Sequence, residues 1–195
     1  YRKYQEDCRR KRNGLDYREF ECEVLYQGKR VVPVVVHANT LRSDSGQLIG
    51  NMAFITDMTQ HKKALALAGE VQRGLLPSQP PIVPGVEMAG RNVPCDEVGG
   101  DYFDFLWDES NDNNVLSIVV GDISGHGVDA ALLMSSARAF LRMRASQSGT
   151  PIEVVTSMNQ HLTTDLSESG RFMTMFYLAL DRQIEQLEWI RAGHD

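Results

Sequence analysis

The stretches Val120-Gly121-Asp122-Ile123-Ser124-Gly125-His126-Gly127 and Val98-Gly99-Gly100-Asp101 carry the strongest indication of the fold. Asp122 follows the apolar run 115–120, which predicts a buried strand. Asp101 follows two glycines, which let the backbone turn tightly and let a ligand approach closely. Carboxylate oxygens are ligands that hard divalent cations such as Mg²⁺ and Mn²⁺ prefer. The two stretches therefore predict a metal site and point to metal-assisted hydrolysis.

An aspartate beside a glycine is also common in ordinary turns, so either carboxylate alone would indicate no more than a turn. Asp101 and Asp122 stand before and after the same apolar strand, and this arrangement favours a metal site. Two carboxylates are too few to hold two cations, so further acidic ligands are expected elsewhere. Because a hydroxide would be the attacking group, no serine or cysteine nucleophile is required.

His126 stands between glycines at the predicted start of a helix, where backbone N–H groups favour anions. It could donate a proton to a leaving group, or it could be a packing and hydrogen-bonding residue of the turn. The same two interpretations apply to His194, which follows Gly193 at a strand end. Asp104 is expected to point to the face opposite Asp101 and to have a structural role.

The composition excludes several classes of protein. The chain has 195 residues, of which 42% are hydrophobic, so one ordinary domain or two small ones can form a core. The net charge of −6 argues against nucleic-acid binding, and no apolar run approaches transmembrane length. Cys8, Cys22 and Cys95 are far apart, which argues against a disulfide framework or a zinc site and favours a cytoplasmic location. The chain opens on Tyr1 rather than Met, so further sequence upstream is expected.

The first third of the chain predicts an antiparallel meander of three strands, over 20–24, 31–37 and 48–56. Pro33 indicates an edge strand or a bulge. A helix is predicted from Thr59, a candidate N-cap, to the residue before Pro77, and the domain boundary is expected within this helix.

Strands and helices alternate after Pro77. The predicted strands are 86–92, 101–107, 115–120, 172–180 and 187–191, with a polar turn over 107–114. One long helix is predicted over 128–146. Thr150-Pro151-Ile152-Glu153 is a capping box that opens a second helix. The apolar residues expected on that helix are Ile152, Val155, Met158, Leu162 and Leu166.

Several motifs in order resemble the metal-dependent Ser/Thr protein phosphatase (PPM) superfamily, specifically its bacterial SpoIIE/RsbU branch. The resemblance covers about residues 70–195. Its motifs are Val71-Gln72-Arg73-Gly74-Leu75-Leu76-Pro77, Val98-Gly99-Gly100-Asp101-Tyr102-Phe103-Asp104, Gly121-Asp122-Ile123-Ser124-Gly125-His126-Gly127, Phe172-Met173-Thr174-Met175-Phe176-Tyr177 and Ala192-Gly193-His194-Asp195.

The resemblance implies an α+β fold, an αββα sandwich of two antiparallel sheets flanked by helices, with a dinuclear Mn²⁺ or Mg²⁺ centre. Asp101 and Asp122 would then be catalytic metal ligands, and the backbone carbonyl of Ile123 a third ligand. The family's further acidic ligands would follow Asp195, so the phosphatase domain is expected to be truncated at its C-terminus. The implied substrate is a phosphoserine or phosphothreonine protein such as an anti-sigma-factor antagonist.

Residues 17–63 are similar to the C-terminal half of a PAS sensor domain, with Asp57-Met58-Thr59-Gln60-His61-Lys62-Lys63 as its exit. The expected order is a PAS-like part over 1–58, a linker helix over 59–79 and the phosphatase domain over 80–195. This order implies signal-regulated dephosphorylation. The roughly heptad-spaced Leu65, Ala68, Gln72 and Leu75 suggest a homodimer through the linker helix, although the same spacing suits a helix packed on its own domain.

The rival to the phosphatase interpretation is an inactive signalling scaffold or dimerisation module. A nucleotide-binding domain is disfavoured because no P-loop motif is present.

Overall fold

The computed structural model describes residues 17–107, 115–166 and 170–194. The chain divides into two units, Tyr1–Ala64 and Leu65–Asp195. Cys8, Asp195 and all but the first residue of the predicted polar turn 107–114 lie outside the described residues. Within the described ranges, no helix is long and apolar enough to cross a membrane.

The first unit contains the predicted meander. Strands β1 (Tyr17–Tyr26), β2 (Arg30–Arg42) and β3 (Leu48–Asp57) form an antiparallel sheet in the order β1-β2-β3. Side chains of β2 alternate between buried and half-buried positions, as expected for a β-branched strand with one covered face. The buried residues of this strand are Val32, Val34, Val36 and Ala38.

Pro33 does not mark an edge strand or a bulge, because β2 is the central strand and pairs regularly with β1 at this position. Its carbonyl accepts a hydrogen bond from the Met58 N–H at 2.8 Å. The N and O of a strand residue point to the same side, so the missing N–H of Pro33 faces the end of β3. The Met58 carbonyl, which that N–H would have served, instead accepts a hydrogen bond from the Lys62 N–H at 2.9 Å. Pro33 is tolerated because the ladder between β2 and β3 ends here and the chain after β3 continues as a helix.

Helix α1 (Thr59–Leu75) begins where predicted, but its cap differs from the expected one. The side chain of Asp57, rather than that of Thr59, accepts a hydrogen bond from the Thr59 N–H at 2.8 Å. Hydrogen bonding to the Thr59 side chain, and secondly to the Thr59 N–H, lowers the pKa of Asp57 below its ordinary value. A carboxylate at this position also suits the positive end of the helix dipole.

The second unit is built on one antiparallel sheet. Strands β4 (Asp101–Leu106), β5 (Val115–Ile123), β6 (Met173–Asp181) and β7 (Gln186–Ala192) pair in chain order. Helix α2 (Val128–Ala145) packs against β4 and β5, and helix α3 (Pro151–Leu166) packs against β6 and β7. The predicted capping box of α3 is present, since the Thr150 N–H donates to the Glu153 carboxylate at 2.8 Å.

One prediction for the second unit is wrong. The stretch 86–92 is not a strand; only a single bridge between Val83 and Val86 forms there, around the turn at Pro84 and Gly85. The apolar residues predicted on the second helix all lie on α3, but Ile152 is 58% exposed, and the buried face begins two residues later at Val154. That face consists of Val154, Val155, Met158, Leu162 and Leu166.

The two faces of the second sheet differ in what covers them. The helix-side face carries the core residues of the strands, among them Tyr102, Val119, Met175 and Tyr177. The open face carries the alternate residues, such as Val120, which is 42% exposed, and Trp189, which is 62% exposed. The α+β class is confirmed, and the described residues supply one sheet and one helical layer of the expected sandwich.

Candidate metal centre

Asp101 and Asp122 lie directly opposite each other on β4 and β5, and Thr174 is the partner of Asp122 on β6. Residues paired in register share one face of a sheet, so the three side chains form a row across the open face. Both carboxylates are exposed. The structure thus brings together the two acidic residues that the sequence singles out.

The electrostatics of this row disfavour a second negative charge. Partial burial, reinforced by the charge of Asp101, raises the pKa of Asp122 above its ordinary value, while His194 acts in the opposite direction. Among the described residues, neither carboxylate forms an ion pair with a lysine or an arginine. The described residues therefore offset the two facing negative charges with no lysine or arginine.

The Ile123 carbonyl lies at the same end of the sheet. The Ile123 N–H donates to the Gly100 carbonyl at 3.3 Å. A Cβ on Gly100 would lie 2.5 Å from the Ile123 carbonyl oxygen, so only glycine leaves that oxygen room beside Asp101. This explains the second glycine of the Val98-Gly99-Gly100-Asp101 motif.

The donor set fits a hard divalent cation. Two carboxylates and a backbone carbonyl are all oxygen ligands, which suit Mg²⁺ or Mn²⁺ rather than a thiophilic metal. Nowhere in the described ranges are three or more His, Cys, Asp or Glu side chains placed so that together they could hold a metal ion, however, so the arrangement is a pair with a carbonyl rather than a full carboxylate cage.

Helix α1 is fastened to the loop that delivers Asp101. The amide of Gln72 donates to the Gly99 carbonyl at 2.6 Å and accepts a hydrogen bond from the Gly99 N–H at 3.0 Å. One turn earlier, Gly69 is buried, and a Cβ there would overlap the Glu97 carbonyl oxygen. Both contacts fix the loop immediately before the candidate metal ligand.

A cleft of about 250 Å³ opens over the carboxylates, and it is lined by Asp101, Asp122, Gln72, Asp96 and His126, among others. His126 is 89% exposed, and its Nδ1 lies 3.5 Å from the Asp96 carboxylate. It is therefore not a packed residue of the turn, and its imidazole borders the cleft beside the carboxylates.

His194 approaches the row from the other side. Its Nδ1 lies 2.8 Å from Thr174 Oγ1, and its charge acts on Asp122. Sequence spacing gives no sign of this contact, because Thr174 and His194 are 20 residues apart.

Asp104 occupies the opposite face, as predicted. It is fully buried and accepts hydrogen bonds from Nε of Arg142 at 2.7 Å and Nη2 of Arg142 at 2.6 Å. The Tyr102 hydroxyl donates to the same carboxylate at 2.7 Å. Asp104 therefore ties β4 to helix α2 and takes no part in the carboxylate row.

Known proteins resemble this chain in fold and, over part of its length, in sequence. The second unit has the PP2C-type fold: the solved SiaA-PP2C domain of Pseudomonas aeruginosa superposes with a TM-score of 0.53 at 23% identity, covering 68% of this chain and 53% of that one. Residues 112–195 match the model of the family described as Stage II sporulation protein E (SpoIIE). That segment is therefore similar to this family.

Two curated relatives are named phosphoserine phosphatases, both from Bacillus subtilis (strain 168). Phosphoserine phosphatase RsbU is 28% identical over 134 residues, which are 69% of this chain and 38% of the relative. Phosphoserine phosphatase RsbP is 24% identical over 136 residues, which are 68% of this chain and 33% of the relative. The chain thus spans little more than a third of the length of these relatives.

Proposed function

We propose that this chain belongs to a signal-regulated, Mn²⁺- or Mg²⁺-dependent protein phosphatase acting on phosphoserine or phosphothreonine. The observation that carries the proposal is the pairing of Asp101 with Asp122 beside the Ile123 carbonyl. The relatives named phosphoserine phosphatases support the reaction class. The motif resemblance to the SpoIIE/RsbU branch supports a regulatory phosphoprotein, such as a phosphorylated anti-sigma-factor antagonist, as the substrate.

The carboxylates of Asp101 and Asp122 and the carbonyl of Ile123 would hold the cation. When bound, a divalent cation lowers the pKa of a water and offsets the negative charge of the phosphoryl group. His126 borders the same cleft, and its Nδ1 faces Asp96. That leaves Nε2 to hold a proton for the leaving serine or threonine oxygen.

The proposed domain order is a PAS-like part over 1–58, a linker helix over 59–79 and a phosphatase domain over 80–195. The three-stranded antiparallel sheet supports the first part, and α1 supports the second. The bonds between Gln72 and Gly99 give α1 a direct contact with the loop of the candidate centre. Regulation would act through this contact.

The test is phosphatase activity of the full-length protein on a phosphoserine peptide with MnCl₂, for unaltered protein, Asp101→Asn and Asp122→Asn. The matched control is Glu188→Gln, which neutralises an exposed carboxylate of β7 in the same sheet. We expect both aspartate variants to lose activity and the control to keep it. Wild-type activity in Asp122→Asn would refute the proposal.

The scaffold alternative has one observation in its favour, namely the absence of a three-residue acidic cluster in the described part of the chain. Calorimetric titration with Mn²⁺ separates the two. A full-length protein that binds no Mn²⁺ would be a scaffold, whereas binding that Asp101→Asn and Asp122→Asn both weaken supports the enzyme.

We also propose that the linker helix pairs in a homodimer. Gln72 faces its own unit, so the surface left for pairing is Leu67 and Val71, which are 63% and 64% exposed and one turn apart. We expect Leu67→Glu/Val71→Glu to convert a dimer into a monomer in light scattering. A protein that is monomeric before the substitution contradicts this part of the proposal.

A further inference from the structure

Arg171 clamps the loop that follows the candidate metal ligands. Its Nη1 donates to the Ser124 carbonyl at 2.6 Å, and its Nη2 donates to the Asp129 carboxylate in the first turn of α2. The Arg171 side chain is 23% exposed. One guanidinium therefore joins both ends of the turn between β5 and α2.

The residue after Arg171 reinforces the clamp. The Ser124 N–H donates to the Phe172 carbonyl at 2.8 Å, and the Phe172 N–H donates to Ser124 Oγ at 3.0 Å. Backbone N–H, backbone carbonyl and side chain of Ser124 are thus all held by two consecutive residues that lie 47 and 48 positions away in the sequence.

Gly125 is matched to the guanidinium. It has a φ of 94°, and a Cβ at this position would overlap Arg171 Nη1. Only glycine both adopts this backbone conformation without strain and leaves the guanidinium its place. Gly125 and Arg171 therefore form one packing unit.

The contacts of Ser124 fix the direction of the Ile123 carbonyl through the Ile123–Ser124 peptide bond. The N–H and C=O of a planar trans peptide point in opposite directions. Since the Ser124 N–H points to Phe172 on the β6 side, the Ile123 C=O of the same peptide points to the β4 side, where Gly100 leaves it room. The orientation of a candidate ligand oxygen thus depends on how Ser124 is held.

We propose that Arg171 is a positioning residue of the cation site: by holding Ser124 and Asp129 it keeps the Ile123 carbonyl turned toward Asp101. Arg171 itself is not a ligand. This inference rests on the proposed function, because it presumes that Asp101, Asp122 and Ile123 bind a divalent cation.

The test is Mn²⁺ affinity by calorimetry on the full-length protein, with the thermal midpoint recorded for each variant. Removing outer partners of metal ligands weakens metal binding by about 10- to 100-fold, and we expect Arg171→Ala to fall in that range. Arg171→Lys keeps the positive charge but has one donor nitrogen in place of the two that reach Ser124 and Asp129, and it should give an intermediate affinity. The matched control is Arg182→Ala, which also removes an arginine bonded to a backbone carbonyl, that of Pro84, and should leave Mn²⁺ affinity unchanged.

A double-mutant cycle tests the geometry independently. Gly125→Ala introduces a collision with Arg171 in the unaltered protein but not in Arg171→Ala. We expect Gly125→Ala to weaken Mn²⁺ binding more when Arg171 is present than when it is absent. If Gly125→Ala weakens Mn²⁺ binding equally in the wild-type protein and in Arg171→Ala, Gly125 and Arg171 are not coupled and this part of the inference is wrong.

The outcomes separate this inference from the proposed function. If Asp122→Asn abolishes Mn²⁺ binding while Arg171→Ala stays within about twofold of wild type, a change too small for an outer partner, the inference is wrong and the proposed function stands. If the unaltered protein binds no Mn²⁺, or Asp122→Asn leaves binding unchanged, both are wrong. If Arg171→Ala fails to fold, Arg171→Lys decides, and wild-type affinity in a folded Arg171→Lys refutes the clamp.

Discussion

Asp101 and Asp122 face each other across β4 and β5, and among the residues that the structure describes neither forms an ion pair with a lysine or an arginine. Like charges directly opposite each other on neighbouring strands destabilise a sheet. Their pairing therefore costs the protein stability in the absence of a cation, and it is the kind of local conflict that marks a functional site.

Asp101→Asn should stabilise the cation-free protein by about 0.2–1 kcal/mol, because it removes the repulsion within the facing pair. The same change should abolish Mn²⁺ binding. Urea denaturation in EDTA measures the first effect and calorimetry the second. Glu188→Gln on β7 serves as the control and should alter neither quantity. Destabilisation of the metal-free protein by Asp101→Asn would contradict the prediction.

Glu153 gives a pH-dependent contribution to stability. Hydrogen bonding to Thr150 lowers the pKa of Glu153 below its ordinary value, so the folded state binds this proton less tightly than the unfolded state. The contribution is present above the unfolded pKa, about 4.3, and is lost as pH falls through the lower folded pKa. The stability of wild type relative to Glu153→Gln should therefore fall with decreasing pH below about 4.3. A difference independent of pH over that range would contradict the prediction.

Gly69 and Gly74 offer a matched pair of substitutions in α1. Gly74 has nothing within 4 Å of an added Cβ, so Gly74→Ala should stabilise the protein by about 0.5–1 kcal/mol through helix propensity. Gly69→Ala would overlap the Glu97 carbonyl oxygen and should destabilise the protein by about 1–3 kcal/mol, as overpacking does. Thermal unfolding of both variants is the measurement. Equal shifts for the two would show that α1 does not pack closely on the loop before Asp101.

Arg142→Met should destabilise the protein by about 3 kcal/mol, because it leaves the buried Asp104 carboxylate without its cation. The 43% exposure of Arg142 places the effect at the lower end of the usual range. Arg182→Met removes one exposed hydrogen bond to the Pro84 carbonyl and a cation–π contact with Trp107, and should cost no more than about 2 kcal/mol. Urea denaturation followed by tryptophan fluorescence compares the two. A cost for Arg142→Met as small as that of the control would contradict the prediction.

The sequence predicts those parts of the fold that depend on local pattern. The alternating residues of β1, the capping box at Thr150 and the strand before Asp122 all follow from short-range periodicity and turn chemistry. Asp101 and Asp122 are found for the same reason, because each stands at a recognisable strand end.

The parts that sequence analysis missed depend on contacts between distant residues. The Gln72–Gly99 bonds span 27 positions and the Arg171–Ser124 bond spans 47. The proline of β2 is tolerated because a helix begins at the facing residue, which no periodicity in β2 can reveal. The stretch 86–92 has strand-like residues but forms no ladder, although Asn92 lies close enough to the edge strand β4 to donate to the Asp101 carbonyl at 3.5 Å. Tertiary context therefore overrides its propensity.

The buried ion pair of Asp104 has a consequence for the open face. Side chains of a strand alternate between faces, so sliding β4 by one residue would turn Tyr102 toward the position of Asp101 and expel Asp104 from its arginine. Arg142 can donate to Asp104 only in the register of β4 on β5 in which Asp104 faces the helices. The contact between Asp104 and Arg142 on the helix side thereby determines which residue lies opposite Asp122 on the open face, and its loss would allow a different residue to take the place of Asp101.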